Sequence, residues 1–247
     1  MITDPGFYLV GLLAVLLVGI SKSGFGAGFG ALGVPLMALA VPVPQAAAIM
    51  MVPLLVMDGL GLAALLKHRH RGLIRLLLPA GLLGTVIGTL LFGVLSSKMV
   101  AGVVGVMALV FLAIRVFFPP RPAAPPPPRW LGWVLGTVSG CTSFLAHAGG
   151  PPIGFYVVPM KLPPLTFTAT MAVFFAVINL SKWIPYAWLG LIDTRNMLTS
   201  LALLPMAPLG VWIGVRFAKR VPQKLFYRLF NVGMLLTGIK LLSDALA

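Results

Sequence analysis

The stretch PAGLLGTVIG at 79–88 returns later in the chain as PMAPLGVWIG at 205–214. Pro79, Gly84 and Gly88 of the first copy answer to Pro205, Gly210 and Gly214 of the second. The Gly-x3-Gly spacing puts both glycines on one helix face, which lets a neighbouring helix approach closely. A glycine pair says little in a chain with 28 Gly. Two copies with the same upstream proline mark an internal duplication.

Working outward, each copy lies in the fourth of five apolar elements. In the first half these cover about 6–20, 31–41, 45–66, 73–95 and 99–118. In the second they cover about 130–146, 153–160, 165–190, 195–217 and 224–246. The segment 119–129 holds seven prolines and cannot be helix interior; it reads as a stiff linker. The expected organisation is a first repeat at 1–118, a linker at 119–129 and a second repeat at 130–247.

The solvent for these elements follows from composition. Of 247 residues, 60% are apolar and 9% charged, with a mean hydropathy of +1.06. Soluble domains carry about 25% charged residues, and a soluble fold of this length could not hide so much apolar surface. The runs suit spans of roughly 20 residues in lipid. Alternating apolar and polar strands are absent, which argues against an outer-membrane barrel. The fold class expected is an all-α, polytopic transmembrane bundle.

The net charge of +14 does not point to nucleic acid, because the cations concentrate in short loops. Cys141 is the only cysteine, which excludes a disulfide and a multi-cysteine metal site. No cofactor is expected. The first run lacks a basic segment before it and reads as a retained membrane helix rather than a signal peptide.

Loop charge bears on orientation. Between the third and fourth elements, the first half has Lys67, Arg69, Arg71 and Arg75, and the second only Asp193 and Arg195. Between the fourth and fifth, the first half has Lys98, and the second Arg216, Lys219, Arg220, Lys224 and Arg228. The basic loop moves by one helix between the halves. Under the positive-inside rule the halves then have opposite orientation, as inverted repeats. Both termini are expected outside. The first two elements of each half, separated by a Gly-rich break, are then expected to form a hairpin or re-entrant unit with its tip within the membrane; the alternative is that each broken pair is one kinked span, which would give parallel halves.

The breaks fall at matching places, which is the best sequence pointer to a transporter site. The first, 21–30, contains Ser21, Lys22, Ser23, Gly24, Gly26 and Gly28. An ammonium, two hydroxyls and glycine amides suit an oxyanion; the alternative is close packing with a snorkelling lysine. It is not a Walker A loop, since the terminal Gly-Lys-[Ser/Thr] is missing. The second break contains Thr142, Ser143, His147, Gly149 and Gly150. His147 is either an anion donor or proton shuttle, or a packing histidine. Asp58 is the one carboxylate deep in an apolar run, and the run at 165–190 carries Asn179, Ser181 and Lys182. Intramembrane ionisable residues are costly and usually functional. Asp58 is the candidate for proton coupling, or for holding Lys22 or Lys182 in place. His68 and His70 read as loop residues. Trp130, Trp133, Trp183, Trp188 and Tyr186 read as interfacial anchors.

At these motifs the chain resembles the TauE/SafE-type sulfite exporter family. The resemblance rests on SKSGFGAG at 21–28, GVPL at 33–36, QAAAI at 45–49 and LVMD at 55–58. It continues through AHAGGPP at 146–152, FFAVIN at 174–179 and LPMAPLG at 204–210. Ala27 and Phe29 interrupt what is often a denser glycine run. The resemblance implies a non-enzymatic inner-membrane transporter of a small sulfur-containing anion such as sulfite or a sulfonate. Proton coupling by secondary transport is the expectation; an anion channel and a membrane-embedded enzyme centred on Cys141 and His147 are the alternatives. The expected partners are the anion and the bilayer, with a homodimer left open.

Overall fold

A computed structural model describes residues 1–25, 29–118, 127–217 and 223–246. Regular structure among them is helical throughout. Helix α1 (Pro5–Ile20) begins where the Asp4 carboxylate accepts a bond from the Gly6 amide at 2.9 Å. Pro5 suits the first turn, where its missing N–H costs nothing. The helix runs into a π-helical turn, Ser21–Phe25. Beyond the Gly-rich segment come a 3-10 turn, Phe29–Leu32, and short helix α2 (Gly33–Met37). Helices α3 (Val43–Leu65), α4 (Arg71–Val94) and α5 (Ser97–Phe117) complete the first half. Local caps explain two of their starts: His70 Nδ1 accepts from the Leu73 amide, and Ser96 Oγ from the Met99 amide.

The second half comprises α6 (Arg129–Ala146), α7 (Gly150–Val157), α8 (Pro164–Ser181) and α9 (Trp183–Trp188), then α10 (Thr194–Leu203), α11 (Met206–Phe217) and α12 (Gln223–Leu246). Three boundaries differ from the sequence reading. The run at 165–190 breaks at Lys182, because Pro185 has no N–H for the Ser181 carbonyl. The run at 195–217 breaks between Leu203 and Met206, where Pro205 and Pro208 have no N–H for the Leu201 and Leu204 carbonyls. Arg129, assigned to the linker, opens α6. The other linker residues at 119–126 lie outside the described residues.

Six helical stretches among the described residues are long and apolar enough to cross a membrane: Pro5–Ser23, Val43–His68, Arg71–Val94, Ser97–Phe117, Pro164–Trp188 and Thr194–Arg216. Val94, Ile184 and Trp188 are each more than three-quarters exposed, as a lipid-facing surface requires. The protein is a helical membrane protein.

The duplicated glycine motif does the same work in both halves. Helix α4 lies along α6, and its counterpart α11 lies along α1. A Cβ on Gly84 would stand 1.9 Å from the Thr137 carbonyl oxygen, and one on Gly88 2.7 Å from Phe144 Cβ. In the other half, a Cβ on Gly210 would stand 2.6 Å from the Leu16 oxygen, and one on Gly214 2.6 Å from the Ile20 oxygen. The fourth element of each half thus presses its glycines onto the first element of the other. The third elements, α3 and α8, pair with each other, as do the fifth, α5 and α12.

The second broken pair is a hairpin. Helix α6 ends at His147, whose left-handed φ of 52° turns the chain. Ser139 Oγ then donates to the Gly149 carbonyl at 2.6 Å. Gly132, near the start of α6, lies against the Tyr156 ring, near the end of α7. Helix α7 therefore returns along α6. In the first half Gly33 packs back on Val18 of α1.

Tyr186 corrects an expectation. It is fully buried, and its hydroxyl donates to the Phe144 carbonyl at 2.6 Å. Its ring meets Phe144 edge-on, with centroids 4.9 Å apart. It is a core strut rather than an interfacial anchor, because past the break at Lys182 the Tyr186 side of α9 faces α6 while Ile184 and Trp188 face outward. Trp130 and Trp188 remain exposed, as anchors do. Tyr186→Phe leaves a buried carbonyl without its donor and is expected to cost about 1–3 kcal/mol. A lowered melting temperature in detergent checks this; an unchanged one means the carbonyl finds another donor.

Candidate functional site

The third elements of the two halves supply the floor of a cavity of about 540 Å³. Along α3 its lining runs from Leu54 through Asp58 and Gly61 to Leu65, and along α8 from Asn179 through Phe175 and Met171 to Pro164. It therefore reaches from mid-helix to the end beside the basic turn, where the His70 amide donates to Thr170 Oγ1 at 2.9 Å. The walls near this end are apolar: Leu60, Leu65, Leu165 and Phe167 among them. The polar groups gather at the deep end.

Those groups form one continuous chain of hydrogen bonds. The Lys22 ammonium pairs with Asp58 Oδ1. The Asn179 amide nitrogen donates to Asp58 Oδ2 at 2.6 Å, and its oxygen accepts from Lys182 Nζ at 2.8 Å. Lys182 Nζ also lies 2.7 Å from the Ser143 carbonyl, 2.8 Å from Ser143 Oγ and 2.9 Å from His147 Nδ1. His147 Nε2 is 2.9 Å from the Ala47 carbonyl oxygen. A carbonyl only accepts, so Nε2 carries a hydrogen. The chain begins on the π turn, crosses α3 and α8, and closes on the tip of the α6–α7 hairpin. Both halves contribute.

The local sequence explains this convergence. Asn179 and Lys182 are three apart and share one face of α8 and its end. The left-handed turn at His147 aims its ring back at α3 and Lys182 together. The helix break at Lys182, caused by Pro185, lets the ammonium reach four neighbours. Lys182 is completely buried and Asp58 is 3% exposed, whereas the Lys22 side chain is 22% exposed.

The predicted residues separate into three groups. Ser21, Lys22, Ser23, Asp58, Ser143, His147, Gly150 and Asn179 line the cavity. Thr142, Gly149 and Lys182 stand behind it: Thr142 Oγ1 bonds the Ser139 and Ala148 carbonyls, and Gly149 serves the hairpin turn. Gly24 belongs to the π turn, while Gly26 and Gly28 lie outside the described residues. Ser23 lines the cavity, but its hydrogen goes to the Gly19 carbonyl at 2.7 Å, with the Val211 carbonyl at 3.0 Å. Ser21 differs: its hydroxyl is buried and has no hydrogen-bond partner among the described residues. A buried hydroxyl without a partner is costly unless a ligand or water completes it. Ser139 and Ala47 were missed by sequence reasoning. Ser139 carries no signal beyond its place on α6; Ala47 contributes only its backbone.

A model of the sulfite exporter TauE/SafE family matches residues 11–241, nearly the whole chain. The chain belongs to the TauE/SafE family. Comparisons with curated proteins and with solved structures find no match. TauE/SafE proteins are membrane transporters, so the cavity is a candidate transport site rather than an active centre. The cavity draws its polar groups from the π turn, α3, α8 and the tip of the α6–α7 hairpin.

Proposed function

We propose that this protein is a secondary transporter of a sulfur-containing organic anion, bound at the deep end of the cavity. The observation that carries the proposal is charge. Lys22 pairs with Asp58 directly and Lys182 joins it only through Asn179, so the hydrogen-bonded chain holds one carboxylate and one more cation than anion when both lysines are charged. At membrane depth, such an excess favours an anionic ligand. Among the described residues, the Ser21 hydroxyl beside the same cavity has no partner and Lys22 bonds only Asp58, which leaves donors for a second contact.

The cavity volume bears on the cargo. About 540 Å³ falls in the range of roughly 300–1,000 Å³ used for organic ligands. Sulfite alone leaves most of it empty. A sulfonate with an apolar body places its charge at Lys22 and its body against Met57, Met171 and Phe175. The two halves are inverted repeats in this reading, supported by the shifted basic loop and by the reciprocal packing of α4 on α6 and α11 on α1. Alternating access then rocks the halves about the shared site. The cavity reaches the basic turn at 66–71, so this conformation faces the cytoplasm of the proposed inner-membrane location.

Proteoliposome uptake of sulfite, methanesulfonate, benzenesulfonate and neutral benzenesulfonamide tests the reading. Saturable uptake of the sulfonates is expected, strongest for benzenesulfonate, with none for the sulfonamide. Lys22→Ala is expected to reduce it about tenfold or more, equivalent to about 1.4 kcal/mol or more. Absence of saturable anion uptake sinks the proposal.

A further inference from the structure

Lys182 has no carboxylate of its own. Its ammonium is completely buried, and its four neighbours are the Ser143 carbonyl, Ser143 Oγ, Asn179 Oδ1 and His147 Nδ1. All four are neutral acceptors when His147 is neutral. Because Nε2 of His147 gives its hydrogen to the Ala47 carbonyl, Nδ1 offers a lone pair to Lys182. A hydrogen on Nδ1 as well would point at an ammonium. The contact therefore has room for one ionising proton between the two residues, not two.

The other ionisable groups around the pair do not supply the missing charge. Asp58, on α3, is reached only through Asn179 and is already matched by Lys22. Tyr186, on α9, gives its hydroxyl hydrogen to Phe144 O and sits with its ring centroid 6.3 Å from that of His147. Cys141, on α6, is a free thiol outside the cavity lining.

We infer that the Lys182–His147 contact is a proton-binding site, filled when the cavity holds an anion and vacated when it does not. The inference rests on the anion-transport reading above. With Lys182 protonated and one anion in the cavity, the charges of Lys22, Lys182, Asp58 and the anion cancel. With Lys182 deprotonated and the cavity vacant, Lys22 and Asp58 cancel. Both forms that cross between the two faces are neutral, and each avoids the cost of an unbalanced charge at membrane depth. The proton and the anion favour each other's binding by the same factor. Ser143 lines the cavity and its hydroxyl touches Nζ, so it can pass the proton from cavity water to Lys182. Transport is then an electroneutral symport of one proton with one monovalent anion. Asp58 holds Lys22 and does not itself carry the coupled proton.

Two measurements on the full chain in lipid test this. In the first, proteoliposomes with an entrapped pH dye and potassium–valinomycin clamping receive a methanesulfonate gradient. Methanesulfonate stays ionised and brings no proton of its own. The wild type is expected to acidify the interior by one proton per anion, at a rate rising by up to about tenfold per unit fall in external pH and indifferent to the clamped potential. Lys182→Met abolishes the acidification. Methanesulfonate entering the wild type without protons overturns the proton site and leaves the transport reading standing. In the second, 15N spectra of labelled lysine and histidine follow the two residues, with Lys182→Met and His147→Gln identifying their signals. Lys182 is expected to switch between ammonium and amine while His147 stays neutral with its hydrogen on Nε2. Saturating methanesulfonate moves the switch to higher pH. A Lys182 ammonium unchanged wherever the protein is folded, or a doubly protonated His147, overturns the site. If methanesulfonate does not move at any pH but Lys182 titrates as described, the proton site stands and the transport reading falls.

Discussion

Asp58→Asn is expected to lower anion flux by about a hundredfold or more, equivalent to about 2.7 kcal/mol, and to destabilise the protein by about 3–5 kcal/mol. The carboxylate accepts from the Lys22 ammonium at one oxygen and from the Asn179 amide at the other. An asparagine has one acceptor oxygen, so its NH₂ must face one of those donors. Lys22 would then be left without its carboxylate at membrane depth. Breaking one partner out of a buried pair is costly because the other charge stays behind. The double variant Lys22→Met with Asp58→Asn removes both charges and is expected to recover part of the stability, but not the flux. Melting temperatures in detergent and proteoliposome uptake separate the two effects. Equal destabilisation in the single and double variants would mean that the pair is not coupled.

Gly84→Val is expected to prevent stable folding. The Cβ would stand 1.9 Å from the Thr137 carbonyl oxygen and 2.8 Å from the Cys141 amide nitrogen, both backbone atoms of α6. No side-chain rearrangement relieves that clash, so α4 and α6 must separate. Overpacking in a well-packed core costs about 1–3 kcal/mol, and a backbone collision at a helix crossing belongs at or above the top of that range. The same separation would shift the His147 turn at the end of α6 and weaken its bond to Lys182. Gly154→Ala is the control, because a Cβ there meets nothing within 4 Å. The expected result is loss of the monodisperse protein for Gly84→Val and a normal yield for Gly154→Ala. Normal yield and melting for Gly84→Val would show that the motif does not set the helix spacing.

Much of this architecture was legible in the chain because its signals are local. Apolar runs marked the membrane helices, and the motif at 79–88 and 205–214 located the two tight crossings. Lys22, Asp58, Asn179, Lys182 and His147 stood out as polar residues in apolar surroundings, and the structure joins all five in one chain of bonds. The pairing was less legible. Lys22 and Lys182 were both candidate partners for Asp58; the structure gives Lys22 directly and Lys182 only through Asn179. That choice depends on the helix break made by Pro185, a tertiary consequence of one residue. Tyr186 was misplaced for the same reason. Its position near a span end suggested an anchor, but the break turns it onto Phe144. The apolar walls of the cavity were invisible, since Met57, Met171 and Phe175 look like any core residues in a chain this apolar.

The central claim is that an organic sulfur anion sits at the deep end of the cavity, beside Lys22. Crystals grown with 4-bromobenzenesulfonate test it directly, because the bromine reports its own position by anomalous scattering. The expected map places the sulfonate oxygens about 3 Å from Lys22 Nζ and Ser21 Oγ, with the bromine among Met57, Met171 and Phe175. Bromine signal confined to the basic turn at 66–71, with the cavity free of it at saturating ligand, would contradict the account.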